Sequence, residues 1–199
     1  MVKIKICGIK RLEDIEIVNR YKPDYIGFVF ADSKRKVSHE LAFELKSNLS
    51  PDITSVGVFV DADMDEITKL FDEGIIDMAQ LHGSENEEYI INLKENTNCK
   101  LKIINAIEMS DEKDLLEYDN SAADFLLLDS GKGSGKTFDW SLIRKDLNKK
   151  FFLAGGINKS NVMEAIGEFN PFAVDLSSSL ETDGFKDENK IREIMEVIR

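Results

Sequence analysis

Residues 55–71 read "SVGVFVDADMDEITKLF", and a change of rhythm inside them decides the fold. The first six residues are almost unbroken apolar chain, rich in β-branched and aromatic types, as in a strand buried on both faces. After Asp61 the apolar positions fall at helical spacing, with Met64, Ile67, Leu70 and Phe71 on one face. Asp63 is placed to cap that helix, with Glu66 as its capping-box partner. The stretch is one strand, one loop and one helix.

The same unit recurs along the chain. Runs comparable to "SVGVFV" are "KIKIC" (3–7), "YIGFVF" (25–30), "DMAQL" (77–81), "LKIINA" (101–106), "DFLLLD" (124–129), "KFFLA" (150–154) and "FAVDL" (172–176). Their starts lie about 22–30 residues apart, the length of one strand-and-crossover unit. Between them, "GSENEEYIINL" repeats the capping pattern with Ser84 and Glu87. "KSNVMEAIGEF" and "DENKIREIMEVIR" carry apolar faces through Val162, Ala165, Ile166 and Phe169 and through Ile191, Ile194, Met195 and Ile198. Eight such units in 199 residues predict an α/β fold, a (β/α)8 TIM barrel, as one compact domain over residues 1–199. An open doubly wound sheet is the alternative. In the first run, Ile4 and Ile6 are read as the packing positions, and the lysines as outward or end positions.

Composition narrows the function classes. A net charge of −12 argues against nucleic acid or an anionic membrane as partner, because both recruit clustered Lys and Arg. No apolar run approaches the ~20 residues of a membrane helix, and "MVKIKICGIKRLED" turns charged too early for a secretory signal. The two cysteines, Cys7 and Cys99, lie far apart in sequence with no CxxC or metal-ligand spacing, which suits a reducing cytoplasm and no metal. Cys99 is read as a small hydrophobe.

A barrel gathers its chemistry at the C-terminal ends of its strands, and those ends carry polar and reactive groups here. Strand 1 ends on Cys7, and Ser33 and Arg35 follow strand 2. Gln80 and His82 stand at strand 4, and Asp129 ends strand 6. Gly155-Gly156 end strand 7, and Asp175 then Ser177, Ser178 and Ser179 end strand 8. Gly155-Gly156 and the serine run read as a phosphate seat, since glycines let backbone N–H groups approach an anion; a tight turn is the plain alternative. Asp129, closing the apolar "FLLLD", suits a general acid, or merely caps a loop. Arg35 could clamp a carboxylate in a two-pronged contact, or be one charge in a solvated run. His82 is a base or a loop-ordering side chain. "SGKGSGKTFD" (130–139) is not a nucleotide loop, because that motif ending on Gly135-Lys136-Thr137 would need glycine where Ser130 stands. It reads instead as a Gly-rich lid over Asp129.

Taken together, "KICGIK", "IGFVFADSKRKVS", "VGVFVD", "QLHGSE", "LLLDSGKGSGKTFDW", "FLAGGINKSNV" and "VDLSSSLETDGFKD" resemble the phosphoribosylanthranilate isomerase family of tryptophan biosynthesis. They run in the family's order from Lys3 to Asp187. The resemblance implies a barrel without metal or organic cofactor. Its reaction is an Amadori rearrangement of N-(5'-phosphoribosyl)anthranilate to 1-(2-carboxyphenylamino)-1-deoxyribulose 5-phosphate. It also implies Asp129 as general acid, Cys7 as general base, Arg35 toward the anthranilate carboxylate, and Gly155, Gly156 and Ser177–Ser179 around the phosphate. His82 and Asp175 complete the expected substrate-binding set. An ordinary thiol, of pKa about 8.5, is only a few per cent ionised at neutral pH. The resemblance therefore needs a cation near Cys7, with Arg35 or the developing Schiff base as candidates. Two departures stand out: Ser179 replaces a usual glycine, and "GKGSGKTF" a usual double glycine followed by Thr-Gly. Indole-3-glycerol-phosphate synthase is a second enzyme reading, weakened by Cys7 in place of a lysine. A silent metabolite-binding barrel is a third. The expected partner is a small phosphorylated molecule, with the chain as monomer or homodimer.

Overall fold

A computed structural model describes residues 1–109, 115–129 and 147–199. The Gly-rich segment 130–139, read above as a lid, lies outside the described residues. Eight parallel strands follow the sequence order: β1 (Lys3–Cys7), β2 (Tyr25–Val29), β3 (Thr54–Phe59), β4 (Met78–Leu81), β5 (Lys102–Glu108), β6 (Phe125–Asp129), β7 (Phe151–Leu153) and β8 (Ala173–Leu176). Each pairs with the next, and β8 returns to β1 in the register Lys3↔Ala173 and Lys5↔Asp175. That last pairing closes the barrel and excludes the open sheet.

The crossovers contain α1 (Leu12–Tyr21), α2 (His39–Ser47), α3 (Met64–Asp72), α4 (Glu87–Asn96), α5 (Leu115–Asp119) and α6 (Val162–Phe169), and α7 (Glu188–Ile198) follows β8. A short antiparallel hairpin, β9 (Glu181–Thr182) and β10 (Phe185–Lys186), lies between β8 and α7. Asp63 caps α3 as expected, accepting from the Asp65 amide at 3.0 Å. Glu66 instead reaches His39 Nε2 at 2.9 Å. At α4 the cap is Asn86, which accepts from the Tyr89 amide. Ser84 is drawn away to Asp61, to which its hydroxyl donates at 2.7 Å, so the helix starts beyond it.

Alternation along each strand divides two cores. Ile4, Ile6, Ile26, Phe28, Leu126 and Leu128 face outward and pack with Ile15, Val18, Leu45 and Ile194 of the helices. Inside the barrel, Tyr25, Val56, Met78, Ile104, Leu127 and Phe152 form a second cluster. Cys7, Val29 and Val58 sit together in a third. Lys5 shares the inward face with Cys7, so its reading as an outward position is corrected. The side chain is fully buried and bonded to Asp175 Oδ2 at 2.7 Å and Gln80 Oε1 at 2.8 Å. The strand's water-free outer face belongs to the isoleucines, leaving a lysine only the interior, where a carboxylate waits across the β1–β8 seam.

Candidate active site

A cavity of about 610 Å³ opens where the strands end. Its floor is apolar, through Val29, Val58, Leu127 and Ala154. Cys7, Arg35, His82, Asp129, Gly155, Gly156, Asp175, Ser177, Ser178 and Ser179 all line it, so every expected site residue meets the same space. Cys7 and Asp129 end β1 and β6, in phase with the interior positions Lys5 and Leu127. Strand alternation and length therefore deliver both groups to one mouth.

The thiol of Cys7 is buried, whereas Cys99 is exposed, which corrects its reading as a small buried hydrophobe. Burial pushes its pKa up; Lys5 and Lys186 pull it down, and the Asp175 carboxylate adds to the rise, leaving it above the ordinary thiol value. Lys5 and Lys186 are the main cations acting on the thiol; Arg35 also interacts with the Cys7 charge, while its guanidinium is bound to Glu181. Arg35 Nε and Nη2 donate to Glu181 Oε1 and Oε2 at 2.6 and 2.9 Å. Lys186 Nζ donates to the same Oε1 at 2.9 Å and to the Ser177 carbonyl at 3.1 Å. Burial alone would raise the Glu181 pKa, but bonds from Arg35 and Lys186 outweigh it and bring it down to about 2. Burial dominates at Lys186 itself and lowers its pKa.

The Lys5–Asp175 pair shows opposed tendencies. Burial pulls Lys5 toward neutrality, yet Asp175 and Cys7 leave its pKa raised; burial also raises Asp175, which favours the neutral carboxyl. We read the pair as ionised, because a lysine with two acceptors within 2.8 Å is better served by a full charge. Asp175 Oδ1 and Ser179 Oγ are buried with no bonding partner among the described residues, and both residues line the cavity. Unpaired buried oxygens at a cavity wall suit a polar ligand.

At the β7 rim, Gly155 and Gly156 adopt φ +77° and +74°, the left-handed region that favours glycine. Asn158 and Asn161 side-chain amides both donate to the Gly156 carbonyl, at 2.9 and 3.0 Å, fixing the turn. After β8, Ser178–Leu180 form a single 3-10 turn. Ser179 is not at positive φ, so a serine fits where the family usually carries glycine. Ser177 Oγ donates to the Cys7 carbonyl at 3.1 Å, tying this loop to the end of β1. Among the described residues no group of three or more His, Cys, Asp or Glu is arranged to hold a metal.

Lys5, Glu181 and Lys186 were absent from the expected set, and Gln80 was named at the end of strand 4 without a role. Gln80 stood in "QLHG" and Glu181 in "SSSLE", both beside residues already singled out. The turn pair Asp183-Gly184 signals the hairpin that brings Lys186 back.

A family model described as N-(5'phosphoribosyl)anthranilate (PRA) isomerase matches residues 4–197. The chain belongs to this isomerase family. The N-(5'-phosphoribosyl)anthranilate isomerase of Endomicrobium trichonymphae is 47% identical over 204 residues, covering 100% of this chain and 99% of its own. Monomers generated from the dimeric phosphoribosylanthranilate isomerase of Thermotoga maritima superpose with a TM-score of 0.87 at 37% identity, over 99% and 98% of the two chains. A phosphoribosyl anthranilate isomerase solved with reduced 1-(o-carboxyphenylamino)-1-deoxyribulose 5-phosphate superposes with a TM-score of 0.85 at 36% identity, over 98% and 97%. Membership fixes the reaction class, an aldose–ketose isomerisation. Among the described residues, no helix is long and apolar enough to cross a membrane.

Proposed function

We propose that this chain converts N-(5'-phosphoribosyl)anthranilate to 1-(2-carboxyphenylamino)-1-deoxyribulose 5-phosphate with Asp129 as general acid and Cys7 as general base. The observation that carries the reading is the shared cavity: a carboxyl from β6 and a thiol from β1 face one space whose rim is formed by the Gly155-Gly156 and Ser177–Ser179 loops. The relative bound to the reduced product analogue supports the same ligand chemistry.

Asp129 gives its proton to the ring oxygen as the anilino lone pair breaks the C1'–O bond and forms an iminium. Cys7 takes the C2' proton, and the released electron pair makes the enolamine. Loss of the C2' hydroxyl proton and protonation of C1' complete the ketone, so two protons leave the C2' centre and two arrive, at the ring oxygen and C1'. The iminium draws the C2' proton acid-ward, which offsets a thiol held mostly neutral in the free enzyme. Phosphate held at the β7 and β8 loops, away from the reacting carbons, supplies orientation for both transfers. Arg35 meets the anthranilate carboxylate by exchanging Glu181 for it, one carboxylate for another.

The test follows the loss of phosphoribosylanthranilate fluorescence in a coupled assay with Cys7→Ser and Asp129→Asn. Each variant is expected to lose ~10²–10⁴ in kcat, the range of one acid–base group. Wild-type turnover in either would sink the assignment of that residue.

A further inference from the structure

A chain of side chains runs from the barrel interior to Asp129, and donor bookkeeping along it leaves one proton arrangement. Lys5 Nζ carries three donors and no acceptor. The Gln80 amide atom 2.8 Å from it must therefore be the oxygen, Oε1. The orientation of the amide follows from this donor count alone. Gln80 Nε2, a donor only, then faces His82 Nδ1 at 3.2 Å. Nδ1 must accept, so the ring proton sits on Nε2. Nε2 is the atom 3.5 Å from Asp129 Oδ2, long for a hydrogen bond, as such contacts often are before substrate binds.

We propose that Lys5 and Gln80 are positioning residues that hold His82 in its Nε2–H tautomer and so reserve Asp129 Oδ1 for the transferable proton. His82 addresses Oδ2 with an N–H, and a carboxyl that accepts on Oδ2 carries its own proton on the other oxygen. Reversing the tautomer would aim a bare nitrogen at Oδ2 and draw the acidic proton away from the substrate toward the ring. The same Lys5 ammonium also lowers the thiol of Cys7 against its burial. One buried cation thus bears on both proton-transfer groups, through Gln80 and His82 on one side and directly on the other. This inference rests on Asp129 being the general acid.

Gln80→Glu tests it, because a carboxylate keeps the acceptor toward Lys5 but presents no donor to Nδ1. Ring nitrogen-15 spectra resolve the tautomer, and the chain has only two histidines, His39 and His82, so His39→Gln assigns the signals. Unliganded wild type is expected to show His82 with a protonated Nε2 and a bare, pyridine-like Nδ1. In Gln80→Glu the pyridine-like Nδ1 signal should vanish as Nδ1 gains a proton. kcat should fall at least about tenfold and by no more than the ~10²–10⁴ an acid supplies, with KM little changed. A wild-type ring protonated on Nδ1 overturns the proposal without any variant. So does a Gln80→Glu enzyme whose tautomer changes while kcat stays intact. If instead Asp129→Asn retains turnover, the acid assignment fails, and the wild-type spectrum still reports the tautomer by itself.

Discussion

At the scale of single residues the site is a set of charges held out of water, and their pH behaviour follows. The Cys7 thiol, raised by burial against the pull of Lys5 and Lys186, ionises later than a free thiol. In a Cys99→Ser background, its alkylation by iodoacetamide is expected to reach half its maximal rate above pH ~8.5, the midpoint of an ordinary thiol. A midpoint at or below that value would contradict the burial argument. Because the unfolded thiol ionises first, the fold also loses stability as pH rises past the same point. Glu181 works in the opposite sense. Its folded pKa of about 2 lies below the unfolded value of about 4.3. The stabilisation is therefore complete at neutral pH and drains away as pH falls from near 4.3 toward 2. Urea denaturation across that window should show Glu181→Gln less stable at neutral pH, with Arg35 and Lys186 unpaired, and with a flatter slope on the acid side. Equal slopes for variant and wild type would rule out Glu181 as a source of acid lability.

At the scale of elements, adjacent strands set how closely the thiol is held. Gly27 on β2 pairs with Cys7 on β1, and a Cβ there would fall 2.7 Å from Cys7 Sγ and 3.1 Å from its Cα. The latter is backbone and cannot swing aside. Gly27→Ala is expected to cost ~1–3 kcal/mol in urea unfolding, and to lower kcat by displacing the thiol. A neutral effect on both would show that β1 and β2 yield more readily than a packed barrel should. The strands themselves were legible because their outer faces are mostly apolar, Ser55 and Asn105 being polar exceptions, so "FLLLD" and "SVGVFV" read as buried at once. Strand ends were legible for the same reason: Cys7, Asp129 and Asp175 break the pattern where chemistry is exposed to the mouth. Lys5 was not. A lysine inside a strand takes its meaning from Asp175, 170 residues away, and only closure of the barrel brings the two together. The cap of α4 was missed because Ser84 has a better partner in Asp61, on another loop. Arg35 was found, but not its engagement with Glu181, since that contact needs the 3-10 turn and hairpin folded back over β1.

At the scale of the whole molecule, the barrel separates stability from chemistry along its axis. Charges occupy the upper interior, where Lys5 and Asp175 also bridge the closing β1–β8 seam. Below them lies an aromatic plug: Phe152 is fully buried, with ring centroids 5.3 Å from Tyr25 and 5.7 Å from both Phe125 and Phe172. These contacts tie β2, β6 and β7 to Phe172, the residue just before β8, without involving Cys7 or Asp129. Phe152→Ala should then cost ~3–5 kcal/mol through lost burial and the cavity left behind. For a chain of this length that lowers Tm by roughly 6–20 °C. Well below the new Tm, the variant is expected to keep most of its kcat. Cys7→Ser and Asp129→Asn should do the reverse, losing ~10²–10⁴ in kcat with little change in Tm. Thermal unfolding and turnover measured on the same three preparations decide the matter. If Phe152→Ala lost kcat in step with stability while still folded, the plug would be coupled to the mouth, and the division along the barrel axis would be wrong.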